Sequence, residues 1–139
     1  LNECGLSNKC FINIPWAENL SESLCNECVD VFIEPFPTVS YKITLDVLCA
    51  GIPVIAHKSY LRMGITDFIY PTHLKWETAE EFIETLANIT QEELHKHSLL
   101  SREYYEQNHT LKVLSQYFTT ETAFKTPETI SFFDNKLKY

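Results

Sequence analysis

The stretch Asp30 to Ala56, DVFIEPFPTVSYKITLDVLCAGIPVIA, limits what this chain can fold into more than any other. It starts in one run of branched and aromatic residues, Val29-Asp30-Val31-Phe32-Ile33, and ends in another, Pro53-Val54-Ile55-Ala56. Short runs of this kind between turn residues read as strands near 29–34 and 53–56. Apolar residues on both parities of the first point to a strand covered on both faces. Pro35 and Pro37 stop that strand and force an extended exit. Pro53 opens the second, where a missing N–H costs least. Between them Ser40 suits an N-cap, Ile43, Val47 and Ala50 share a helical face with Leu48 beside it, and Gly51 suits the C′ position. A strand, a helix and a strand in this order give a parallel pair joined by a crossover helix.

The flanking sequence extends the pattern. Cys10-Phe11-Ile12-Asn13-Ile14 reads as a further strand near 10–14, and Leu20, Leu24 and Cys28 recur at the spacing of one helix face. Residues 10–56 therefore read strand, helix, strand, helix, strand. The rest reads as helical. Thr78-Ala79-Glu80-Glu81 has capping-box form, with Phe82, Ile83, Leu86 and Ile89 as the apolar face. Thr90-Gln91-Glu92-Glu93 repeats the signal for a helix to about Glu106. Thr110 suits the cap of a last helix with Leu111, Leu114, Tyr117 and Phe118 facing inward. Trp16 and Trp76 are expected to pack against helices. The expectation is a three-layer, Rossmann-like α/β domain with a parallel sheet and C-terminal helices over residues 1–120, and a loose polar tail over 121–139. Leu1 to Leu6 reads as a helix end and turn, so the sequence is expected to start partway through a domain.

At 139 residues with 45% hydrophobic side chains, the chain can bury one real core. Its 19 Asp+Glu against 11 Lys+Arg leave a net charge of −8. No basic stripe is available for a nucleic-acid polymer. No run of about 18 apolar residues occurs, so no membrane span is expected, and the reading is a cytoplasmic chain. Five cysteines, an odd number, fit reduced thiols better than a disulfide scaffold. Cys25-Asn26-Glu27-Cys28 is a C-x-x-C, but zinc wants four ligands and Cys4-x5-Cys10 makes a poor second pair. The two thiols read as small apolar residues of the helix face, ahead of zinc or redox chemistry. His73, His95, His97 and His109 lack metal-ligand spacing. Neither a metal nor a cofactor is expected.

In open parallel sheets, ligands bind beyond the carboxyl ends of the strands, and free N–H groups at a helix start favour phosphate. Glu34 stands at a strand end, Lys42 at a helix start and Asp46 in that helix's second turn. Glu34-Pro35-Phe36, Thr44-Leu45-Asp46 and Cys49-Ala50-Gly51-Ile52-Pro53-Val54-Ile55-Ala56 together resemble the C-terminal donor domain of GT-B fold glycosyltransferases. The likeness runs over roughly residues 10–118 and is similar to the O-GlcNAc-transferase-like group and its HMW1C-type relatives. It implies that Asp46 binds the ribose of a nucleotide, uridine in the first place, and that Tyr41, Lys42 and Thr44 meet the diphosphate. Glu34 stands where related families carry a carboxylate. His57 follows the last strand toward the ligand side. Leu61-Arg62-Met63-Gly64 resembles the S-R-V-G run of the same group, which makes Arg62 a phosphate contact or a loop anchor. The phosphate turn departs from the group: Thr38-Val39-Ser40-Tyr41-Lys42-Ile43 replaces a glycine-rich turn with paired threonines.

The resemblance implies transfer of a sugar from a nucleotide-diphosphate sugar, UDP-sugar foremost, to a protein or glycan, without metal. No residue is assigned to the catalytic step. The alternatives are a Rossmann-like binding or assembly module that kept the fold and lost the site, and a UDP-sugar epimerase of the same fold. Because GT-B chemistry happens between two domains, the expected partner is an N-terminal GT-B half. This chain alone is then expected to show no sugar transfer in a donor-turnover assay.

Overall fold

A computed structural model of the chain describes residue 14 and residues 16–38, 40–59 and 68–119. The expected strand at 10–14, apart from Ile14, the loop holding Arg62 and the tail at 121–139 lie outside the described residues. Among the described residues, five helices and three strands follow in the order α1 (Leu20–Asn26), β1 (Phe32–Ile33), α2 (Tyr41–Cys49), β2 (Val54–His57), β3 (Leu74–Trp76), α3 (Ala79–Asn88), α4 (Gln91–Asn108) and α5 (Leu111–Thr119). The strands form one parallel sheet in the order β1-β2-β3. Phe32 pairs with Val54, and Ile55 with Leu74. The fold is mixed α/β around a small parallel sheet, compatible with a Rossmann-like arrangement, and β1-α2-β2 is the expected crossover unit.

The core is built on β2. Val54, Ile55 and Ala56 are fully buried, and Val47 and Leu48 of α2, Leu24 of α1, Ile52, Ile69 and Tyr70 complete it. Helix α2 packs on α1 and α4, and α3 packs on β3. The Tyr70 hydroxyl accepts from the Val54 N–H at 3.4 Å and lies 3.2 Å from His97 Nδ1. Burial pushes its pKa up to about 12.

Helices α1 and α2 end in the same way. After α2, the Gly51 N–H donates to Leu48 O and the Ile52 N–H to Val47 O. After α1, the Cys28 N–H donates to Cys25 O and the Val29 N–H to Leu24 O. Each pair is a Schellman motif, closed by an apolar contact between the residue after the turn and the last helical turn. Both motifs need a left-handed residue. Gly51 supplies it at φ 71°, and at Cys28 a side chain is held at φ 53°. Cys28→Gly is therefore expected to stabilise the fold by about 0.5–1 kcal/mol, read as a higher midpoint in thermal unfolding. Helix α4 closes the end of α2 further: Ser101 Oγ donates to Ile52 O at 2.9 Å, and the Arg102 guanidinium donates to Cys49 O.

Several expectations are corrected. The strand expected over 29–34 is two residues long, and Ile33 is 46% exposed, so β1 is not covered on both faces. Cys28 lies beyond α1, and both Cys25 and Cys28 are exposed rather than packed. The buried face of α2 is Thr44, Val47 and Leu48, while Ile43 is exposed. In α3, Phe82 packs on Trp76, but Ile83 and Leu86 are exposed. Leu111, Leu114 and Phe118 of α5 face outward, and Trp16 is exposed. The chain after residue 56 is not all helical, because β3 adds a third parallel strand. Helix α4 carries the full Thr90–Glu93 capping box, and Thr110 Oγ1 accepts from the Val113 N–H. Thr78 caps α3, but Glu81 turns back to the Glu77 N–H instead of closing a reciprocal box.

Three histidines tie stability to pH. His73, His97 and His109 are all held below the usual histidine pKa, chiefly by burial. The folded chain resists protonating them, so the unfolded chain binds more protons as pH falls through the ordinary histidine range. Stability is complete above that range and is lost on acidification. The urea midpoint is expected to drop between about pH 7.5 and about pH 5.5, and His73→Gln should flatten that drop. A midpoint independent of pH there would remove this account.

Candidate functional site

The carboxyl ends of the three parallel strands lie along one edge of the sheet, and most of the candidate residues gather there. Glu34 follows β1, His57 ends β2, and Glu77 follows β3. Glu34 is 1% exposed. One carboxylate oxygen accepts the Ser40 N–H at 2.8 Å, and the other accepts the Thr44 hydroxyl at 2.6 Å. The second distance is that of a charge-assisted hydrogen bond. Ser40 is the N-cap of α2, yet its side chain caps nothing. Glu34, at a strand end six residues earlier, braces that N-cap by accepting its own N–H, and leaves the N–H groups of the first turn free of a cap. Glu34 and Thr44, both candidates for ligand contact, thus direct their polar groups at the chain itself. Their geometry fixes where α2 starts.

Tyr41 and Lys42 form the exposed first turn of α2. The Tyr41 ring meets Phe68 edge-on at 4.8 Å. The first N–H groups of an α-helix have no partner within the helix, so the turn carrying Tyr41, Lys42 and Ile43 presents donors and a cation together. Asp46 comes one turn later, half-buried, on the same side of the helix as Lys42. It faces Tyr105 of α4, whose phenol is raised above its usual pKa first by a hydrogen bond with Cys49, then by burial, with Asp46 adding to the shift.

His57 sits elsewhere along the edge. Its ring lies 4.3 Å from Phe36 and 4.5 Å from Trp76, centroid to centroid. The Ser59 N–H donates to Nδ1 at 3.1 Å, so Nδ1 holds a lone pair and the Nε2–H donates to Glu77 O at 3.1 Å. Both ring nitrogens are engaged, and the imidazole offers a ligand its ring rather than a proton. Next to it, Lys58 bridges to Glu81 at 3.0 Å and to Glu77 at 3.6 Å. Exposed pairs of this kind contribute little to stability. His57 stands at the end of β2, while Lys42 and Asp46 stand on α2. Arg62 lies outside the described residues.

Sequence reasoning missed Phe36, Trp76 and Tyr105. Phe36 had a signal, directly after Glu34-Pro35; the placement of Trp76 depends on β3. One open cavity, of about 390 Å³, borders this edge at Lys58 and Glu81. Another, of about 360 Å³, opens where β1 and β2 begin, between the end of α1 and the first turns of α4. Among the described residues no cluster of His, Cys, Asp and Glu could hold a metal ion, and no helix is long and apolar enough to cross a membrane.

Comparison with known proteins gives no further anchor. No family model, curated protein or solved structure matches this chain. The class that the described residues define is a mixed α/β chain with a parallel sheet and a helix start at its carboxyl edge.

Proposed function

We propose that this chain is the donor-binding half of a GT-B type glycosyltransferase that uses a nucleotide-diphosphate sugar, UDP-sugar foremost. The observation that carries the reading is the placement of α2. Its first turn, with Lys42 exposed, starts beyond the carboxyl end of a parallel strand, and Asp46 stands one turn further on. A cation at a helix N-terminus is unfavourable unless an anion shares the site, and a diphosphate is such an anion. In this reading the first-turn N–H groups and Lys42 hold the diphosphate and offset its charge as it leaves with the nucleotide. Asp46 accepts from the ribose hydroxyls, and Glu34 and Thr44 hold the turn in place. Arg62 serves this reading as a phosphate contact or as a loop anchor. The residues that hold the acceptor come from a second GT-B half.

One observation favours the binding or assembly module instead. The Glu34 carboxylate already takes the N–H at the start of α2, as a phosphate would. Calorimetric titration with UDP, ADP and GDP separates the two. The glycosyltransferase reading expects UDP to bind at least about tenfold more tightly than the purine nucleotides, a difference of about 1.4 kcal/mol. If UDP gives no heat and no shift in unfolding temperature, the donor-site reading falls.

A further inference from the structure

The Schellman turn after α1 places an unsuited residue in its left-handed slot. Cys28 takes φ 53°, where glycine is the ordinary choice. A side chain kept at such a cost is a reason to ask what that side chain does. Its thiol is exposed, and so is that of Cys25, three residues earlier. Both thiols are free. The Cys28 N–H donates to Cys25 O at 3.1 Å. A turn closed in this way holds its end Cα atoms within about 7 Å, and disulfides span Cα separations of about 4.4–6.8 Å. Both cysteines line the open cavity of about 360 Å³ at the start of β1 and β2, together with His95 and Ser98 of α4. That cavity lies at the opposite end of the strands from α2's first turn. Two exposed cysteines whose turn brings their Cα atoms into the range a disulfide spans, on a cavity with room for a small molecule, make an exchange site.

We propose that Cys25 and Cys28 form a reversible dithiol–disulfide pair that exchanges with small-molecule disulfides of the glutathione class. The reaction balances within its partners. One cysteine thiolate attacks a sulfur of the small disulfide, forming a mixed disulfide and releasing one thiolate. The second cysteine attacks the mixed disulfide at the protein sulfur and releases the second thiolate. The two protons lost by Cys25 and Cys28 end on the two released thiols. The protein pair is oxidised by two electrons and the small disulfide is reduced by two. The pair is independent of the donor site and stands whether or not UDP binds.

The sequence allows a direct readout. Cleavage after glutamate and aspartate cuts at Glu22, Glu27 and Asp30, which separates Ser23–Glu27 from Cys28–Asp30 and leaves Cys49 on a third peptide. The full chain is equilibrated in glutathione buffers, acid-quenched, alkylated and digested. In about a tenfold excess of oxidised over reduced glutathione, the two peptides are expected as one species, two hydrogens lighter than their sum, that splits on reduction. Cys28→Gly, which suits the turn and keeps the fold, is expected to trap Cys25 with one glutathionyl group and no internal bond. The proposal is overturned if the two peptides stay separate in the oxidising buffer. It is also overturned if they carry only glutathionyl groups, or if either cysteine pairs with Cys4, Cys10 or Cys49.

Discussion

Glu34→Ala is expected to destabilise the fold by about 2–5 kcal/mol, the largest loss from any single polar group described here. Glu34 is buried, and its two oxygens are the acceptors for the Ser40 N–H and the Thr44 hydroxyl. Truncation leaves the half-buried Ser40 N–H without this acceptor and a cavity the size of the lost side chain. The Thr44 hydroxyl can turn to Ser40 O, which already lies 2.9 Å away, so that donor is rescued. The Ser40 N–H has no such fallback. Glu34→Gln keeps an oxygen for it and fills the same volume, so its cost should be smaller, about 1–2 kcal/mol. Urea unfolding followed by circular dichroism measures both. If Glu34→Ala changes stability by less than about 0.5 kcal/mol, the value of an ordinary surface site, Glu34 does not hold α2 in place. The ordering of the two variants matters as much as their size. A carboxylate whose role is to accept two hydrogen bonds should be replaced better by an amide than by a methyl group.

The same residue shows how far the sequence could be read. A strand ending in Glu34-Pro35, a helix over 41–50 and Gly51 at its C′ position are local patterns, and all three are present. The Thr90–Glu93 box at the start of α4 is equally local. What Glu34 does is not local, because its partners lie six and ten residues on and are brought to it by the crossover. Periodicity tells which residues share a helix face, but not whether anything covers that face. Leu111, Leu114 and Phe118 fall on one side of α5 as expected, yet that side is exposed. Ile83 and Ile43 are exposed for the same reason. Leu74-Lys75-Trp76 is too short for an alternation to register, so β3 has no signature of its own; it is a strand because β2 lies beside it. Cys28 illustrates the opposite error. Its spacing from Leu20 and Leu24 is helical, but the helix has already ended at Asn26, and backbone capping decides the position of the thiol. In the candidate site, the carboxyl-edge placement of Lys42 follows from the β1-α2-β2 order, while the ring cluster of His57, Phe36 and Trp76 depends on β3.

Asp46→Asn is expected to weaken binding of uridine diphosphate about tenfold or more. The proposed contact is a carboxylate accepting from ribose hydroxyls, and hydrogen bonds to a charged group contribute roughly 1.5–3 kcal/mol each. A loss of about 1.4 kcal/mol is a factor of ten in affinity. Asparagine keeps the size and one acceptor oxygen, so the variant removes charge without opening space. Asp46 is half-buried on α2, and its charge makes a small contribution to raising the pKa of the Tyr105 phenol of α4. Removing the carboxylate relieves the phenol of a negative neighbour, so the fold should lose little; unfolding of the unliganded variant checks that separately. The neighbouring Lys42 gives the contrast that makes the test specific. Lys42→Met should weaken UDP, UMP and inorganic diphosphate in proportion to their phosphate charge, whereas Asp46→Asn should weaken UDP and UMP alike and leave diphosphate unchanged. If Asp46→Asn leaves UDP affinity unchanged while Lys42→Met reduces it, the helix start binds phosphate and Asp46 serves the α2–α4 contact instead. The ribose assignment would then be lost, and the donor reading would rest on the first turn of α2 alone.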